Sequence, residues 1–171
     1  MAHAARAMAF EQARPPREPF AQLVEDDCME WSYVRTFSSV AFHLKPAAAV
    51  MKISVLPGQF SEFLKAAHAI AGQHELASAS LLRAAGVIYL ALVPSSADEG
   101  PRKRLAQACN DIFAAAQQVG GHAVIESCPA ALKREVSVWE PPRADLALMR
   151  NLKNEFDPRG ILSPGRFYGG I

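Results

Sequence analysis

No glycine occurs before Gly58, and no apolar run approaches the length of a membrane span. Stretches such as Ala47–Met51 and Ala84–Val93 fall well short of the ~18 consecutive apolar residues that crossing a bilayer requires. Charge of one sign is not in excess: 18 Lys and Arg face 17 Asp and Glu, a formal +1. Such a balance argues against a nucleic-acid binder, which needs a strongly basic face. Cysteine is scarce. Cys28, Cys109 and Cys128 cannot close a disulfide framework and have no C-x-x-C spacing, so free thiols in a reducing compartment are expected. His68 and His74 lie six apart, off a common helical face, and His3, His43 and His122 stand alone, so no metal site is predicted. Met1–Phe10 lacks a continuous apolar core, so no secretory signal is expected. Its Arg- and Ala-bearing, acid-free start fits an unstructured leader better than a transit peptide.

What is present suits one ordinary domain with an appendage, given 171 residues of which 50% are hydrophobic and 20% charged. Residues 1–49 read as a leader of uncertain order. They hold the cluster Arg14-Pro15-Pro16-Arg17-Glu18-Pro19, the acidic run Glu25-Asp26-Asp27, and an untidy apolar stretch, Trp31–Leu44, that predicts a strand or two. From Met51 the pattern is regular. Met51–Leu56 alternates as a half-buried strand and stops at Pro57-Gly58. Phe60, Phe63, Leu64, Ala67, Ile70 and Ala71 recur at helical spacing, with Ser61 expected to help start that helix and Gly72 to end it. Glu75–Leu82 and Val87–Val93 flank a turn in which Gly86 can take a positive φ, predicting a hairpin. Pro101–Val119 is amphipathic, with Pro101 in its first turn and Gly120-Gly121 at its exit, and His122–Ile125 reads as a fourth strand.

The order β-α-β-β-α-β predicts an α+β, ferredoxin-like fold: an antiparallel sheet with two helices on one face. The expected division is a leader over 1–49, a ferredoxin-like domain over 50–142, and a C-terminal helix and tail over 143–171. That third helix, Ala144–Phe156, carries Leu146, Met149, Leu152 and Phe156, and Pro158 ends it. Asp157, beside Pro158, is expected to organise a turn by accepting backbone N–H bonds, and Ser163-Pro164-Gly165 to form a tight turn. Cys109 sits among apolar helix positions and reads as core; Cys128 has no His–Asp partner pattern. Trp139 reads as a core or interface aromatic. Arg102-Lys103-Arg104, poorly matched to the helix start it occupies, reads as a solvated face.

The tail also carries a resemblance. Lys153-x-x-Phe156-Asp157-Pro158-x-Gly160-Ile161-Leu162-Ser163-Pro164-Gly165-Arg166, following a helix, resembles the carboxyl end of FAD-linked oxidases of the vanillyl-alcohol-oxidase type. There a final helix leads into K-x-x-(F/L)-D-P-x-G-(I/L)-L-N-P-G-(R/K). Phe167–Ile171, Val138-Trp139, Leu148-Met149-Arg150 and Ser54-Val55-Leu56-Pro57 are similar to the E-type FAD-linked chains of glycolate oxidases, and the likeness spans roughly residues 50–171. It implies an oxidoreductase flavoprotein in which a cap domain covers the flavin and the tail returns to the FAD domain. It also implies FAD as cofactor and Ser163, Pro164, Gly165 and Arg166 as cofactor contacts, with catalytic residues unassigned. The implied substrate is a small 2-hydroxy acid such as glycolate. Implied partners are an FAD-domain or sister flavin subunit and an iron–sulfur subunit. The implied location is cytoplasmic, with the membrane reached only through those partners.

Two features depart from the family pattern. The glycine-poor first 49 residues cannot build an FAD domain, whose backbone must approach a pyrophosphate closely. The expectation is therefore a cap-and-tail piece without turnover of its own. Ser163 stands where the family has Asn, losing the amide's two-ended bonding. An alternative is a non-catalytic α+β module whose Gly169-Gly170-Ile171 ending docks on a partner. A stand-alone ferredoxin-like ligand sensor accounts only for residues 50–126.

Overall fold

The computed structural model describes residues 28–83 and 86–171. The leader through Asp27, with its proline cluster and acidic run, and Ala84-Ala85 of the hairpin lie outside the described residues. Among the described residues helix α1 (Cys28–Leu44) comes first; β1 (Ala49–Ser54), α2 (Phe60–Gln73), β2 (Ala77–Arg83), β3 (Val87–Val93), α3 (Glu99–Gln118) and β4 (His122–Ser127) then follow in the predicted order. The four strands form one antiparallel sheet ordered β2-β3-β1-β4, the ferredoxin-like arrangement. A last helix, α4 (Leu146–Phe156), precedes the tail. Ser32–Ile171 forms one compact unit. No helix among the described residues is long and apolar enough to cross a membrane.

Alternation along β1 and β3 sends Met51, Ile53, Leu90 and Leu92 to the face covered by α2 and α3, where they meet Phe63, Leu105, Ile112 and Phe113. Fully burying such a side chain contributes about 1.5–3 kcal/mol, and small residues (Ala67, Ala71, Ala108, Ala116) let both helices lie close to the sheet. The opposite face is mixed, with exposed Lys52 and Ser54, but Val50 and Ala91 are buried there beside Tyr89. Phe37 of α1 meets the Tyr89 ring edge-on at 6.5 Å, and Ser38 Oγ donates to Glu126 Oε2 of β4 at 2.6 Å.

This corrects the expectation of strands over Trp31–Leu44, which form part of α1. Phe37, Val40 and Ala41 recur at helical spacing and are half-buried, and the second face of the sheet gives that stripe something to cover. Tertiary contact overrides the strand preference of aromatic and branched residues.

Helix ends differ in detail from expectation. Ser61 caps nothing; α2 starts at Phe60 behind a 3-10 turn, Pro57–Gln59. Gly72 lies inside the helix. The left-handed residue is Glu75 (φ 56), with Leu76 N–H bonded to Ala71 O at 2.9 Å and Glu75 N–H to Gly72 O at 3.1 Å, a Schellman closure built without glycine. Gly120 ends α3 as expected. Gly86 does take a positive φ (90°), and an added Cβ would meet Val55 O at 3.0 Å.

Candidate functional site

Asp157 closes α4 and folds the loop after it. Its buried carboxylate accepts Ile161 N–H at 3.0 Å, Leu162 N–H at 2.9 Å and Lys153 Nζ at 2.6 Å. Lys153 Nζ also donates to Leu162 O at 2.6 Å. The Lys153 hydrogen bond, then the Leu162 backbone N–H, holds the Asp157 carboxyl below the usual carboxylate range. The expected role for Asp157, turn organisation through backbone N–H groups, is the one its bonds describe.

Beyond this loop, Arg166 N–H closes a turn on Ser163 O at 3.2 Å, with Gly165 at φ 69. Ser163 sits in the left-handed region at φ 46. Asn tolerates that conformation better than Ser, which gives a backbone reason for Asn in the family pattern.

The chain then turns back on itself. Tyr168, buried, accepts Arg143 N–H at 2.7 Å and donates to Pro141 O at 3.4 Å. Trp139 packs edge-on against Phe167 (5.2 Å) and Tyr168 (6.4 Å), and its Nε1–H reaches Arg166 O at 3.4 Å. Trp139 also bridges Val124, and Val138 O accepts Ile125 N–H at 2.7 Å, covering the outer edge of β4. The ending Gly169-Gly170-Ile171, expected to dock outward, folds onto its own chain: Gly169 lies against Leu146, and Phe167 N–H donates to Ile171 O at 3.1 Å.

Glu140 is the polar centre of this clasp and is 5% exposed. It accepts His122 Nδ1 at 2.7 Å, Arg143 Nη2 at 3.0 Å and Ala123 N–H at 3.3 Å; the same Arg143 nitrogen also donates to Gly121 O. A buried carboxylate needs such partners to offset its desolvation. The sequence reading missed Glu140, Arg143 and Tyr168. Its available signal was an acid and a base three apart around Pro141-Pro142.

Between this segment and the tail lies an open cleft of about 390 Å³ lined by Trp139, Glu140, Pro142, Gly165, Arg166 and Phe167. Two of the four expected cofactor contacts, Gly165 and Arg166, therefore share one cleft, whereas Ser163 and Pro164 lie outside its lining. All four are exposed, and no side chain among the described residues pairs with the Arg166 guanidinium. The set fits a contact with one anionic group at a rim. It does not fit a full FAD envelope, which needs several converging backbone N–H groups.

Elsewhere among the described residues, several reactive groups are committed to structure. Burial pushes the Cys109 thiol up to about 12 and raises that of Cys128, so neither is a ready thiolate. His68 meets Ser78 Oγ at 2.7 Å and Ser80 Oγ at 3.3 Å, which ties α2 to β2. The basic cluster is neutralised locally: Arg102 pairs with Glu135 (2.5 Å), Lys103 with Glu99 (2.6 Å) and Arg104 with Glu75 (3.4 Å). Among the described residues no group of His, Cys, Asp and Glu is arranged to hold a metal ion.

The family described as FAD linked oxidases, C-terminal domain, matches residues 17–167. The chain is also 24% identical over 135 residues to "Glycolate oxidase subunit GlcD" of Bacillus subtilis (strain 168). That alignment takes in 78% of this chain and 29% of the relative, so the chain spans less than a third of the relative's length. The matched stretch takes in the sheet, α4 and the tail through Phe167, where the tail motif lies. By this match the chain belongs to the FAD-linked oxidases, as a C-terminal domain of that family.

Proposed function

We propose that the chain is the cap-and-tail part of an FAD-dependent oxidoreductase acting on a small 2-hydroxy acid of the glycolate type, and that it has no turnover by itself. The observation that carries this reading is the tail surface. Leu148, Leu152 and Phe156 form a stripe along α4 that is 50–80% exposed, and Ile161 and Leu162 stand exposed on the loop that Asp157 and Lys153 hold. Exposed apolar surface of this extent marks a partner interface. A flavin-bearing domain or sister flavin subunit is the proposed occupant, with an iron–sulfur subunit further along the assembly. When bound there, FAD supplies the hydride acceptor. This chain's part is to cover that site with its sheet domain and to offer Arg166 to an anionic group at the rim. In this reading the sheet domain covers 50–142, the helix and tail 143–171, and the counterpart is the E-type chain of a glycolate oxidase.

The visible spectrum of the purified chain, before and after excess FAD and removal of unbound flavin, tests the reading. The expected result is no retained flavin band and no acceptor reduction with glycolate or lactate. A retained band with turnover by this chain alone overturns it. A second reading, a non-catalytic assembly module, rests on the same exposed stripe; it predicts a partner that binds the chain without any change in flavin turnover.

A further inference from the structure

The two edges of the sheet are treated differently. Val138 and Trp139 cover β4, but among the described residues β2 has a hydrogen-bonded strand neighbour only on its β3 side. Among the described residues, no backbone group is bonded to the outer side of Ala77–Arg83. Natural edge strands are usually blunted by proline, inward-pointing lysine, a bulge or short length. β2 has no proline, lysine or bulge: it is seven residues, Ala-Ser-Ala-Ser-Leu-Leu-Arg, paired to β3 from Ala77↔Val93 to Arg83↔Val87 without a register shift, and its charged residue, Arg83, stands at its end over the Tyr89 ring of the same chain at 4.9 Å. Its first four side chains are small, so another strand can approach closely.

We infer that β2 pairs antiparallel with β2 of a second copy of this chain, joining two four-stranded sheets into one of eight strands across a twofold axis at Ser80. The strand is complementary to itself in that register. Ser80 lies opposite Ser80, Ala79 opposite Leu81 and Ser78 opposite Leu82, which is 43% exposed in the single chain. Arg83, the strand's charged residue, falls opposite Ala77 rather than another arginine, so like charges do not meet. A twofold interface requires each patch to complement itself in this way. This contact is separate from the α4 stripe and does not depend on the proposed activity.

Light scattering of the full chain over a concentration series reads the contact. Wild type is expected to pass from one chain toward two as concentration rises. Ala77 is exposed at the end of β2, so its substitution spares the core. Ala77→Arg sets two arginine pairs facing each other and is expected to weaken the dimer about 5- to 30-fold. Ala77→Glu sets two opposite-charge pairs and is expected to tighten it. Should Ala77→Arg fail to fold, Ala77→Glu and amide exchange read the same contact, because the outward β2 amides must slow on association. A chain that stays single at all concentrations overturns the inference. So does a dimer indifferent to both variants, or one formed without slowing of β2 amides.

Discussion

Gly169 answers to two constraints at once. Its backbone is left-handed (φ 67, ψ 14), and an added Cβ would collide with Leu146 Cδ1. Leu146 is itself buried at the start of α4, so it has little room to yield. Gly169→Ala is therefore expected to destabilise the chain by about 1–3 kcal/mol through backbone strain and overpacking, read as a lower denaturant midpoint at unchanged slope. Ser163 shows the milder case: it also sits at positive φ, but in open solvent with no packing conflict. At this scale the sequence signalled the turn through Pro164-Gly165. It held no sign that Gly169 would press on Leu146, since those residues meet only after the tail has turned back.

Helix α4 and the loop behind it act as one element because a single carboxylate serves both. Lys153 and Asp157, four apart, lie on one helical face, and Asp157 also accepts the N–H groups of Ile161 and Leu162 in the loop that follows. Since the folded carboxyl titrates below its usual range, its stabilising effect is complete above the unfolded value of about 3.9. The effect fades as pH falls through the lower, folded value. Asp157→Asn should thus melt at a lower temperature than wild type at neutral pH, with the two melts converging in acid. A gap that stays constant down to the most acidic folded conditions would contradict this account. This element was legible because the Asp-Pro pair, the Lys153 spacing and the Pro158 stop are all local.

As a whole the molecule buries one apolar face of each core helix and leaves a second apolar surface, the α4 stripe, in water. Replacing Leu152 and Phe156 together by Gln removes two side chains that are 50% and 80% exposed. Surface changes of this kind usually stay within about 0.5 kcal/mol, so the melting temperature should move by no more than about 2 °C. Binding of a fluorescent apolar dye such as ANS should fall sharply. Unchanged dye binding would mean that the accessible apolar surface lies elsewhere.

Periodicity by itself determined the β-α-β-β-α-β order, the two core-facing helix stripes, the hairpin with Gly86 at positive φ and the ordered turn after α4. Each follows from spacing within a few residues, and burial of the stripes admits few arrangements. The tail motif added the family. Tertiary structure alone decided that Trp31–Leu44 would be helical, since its apolar stripe needs the second face of the sheet to define it. Only the fold, likewise, brought His122, Glu140, Arg143 and Tyr168 together, because β4, the Pro141-Pro142 segment and the tail are remote in sequence. It also fixed the fate of the Gly-Gly ending. Local chemistry makes that ending flexible enough to dock anywhere, and the space beside Leu146, next to the packed rings of Trp139 and Tyr168, brings it back to its own chain.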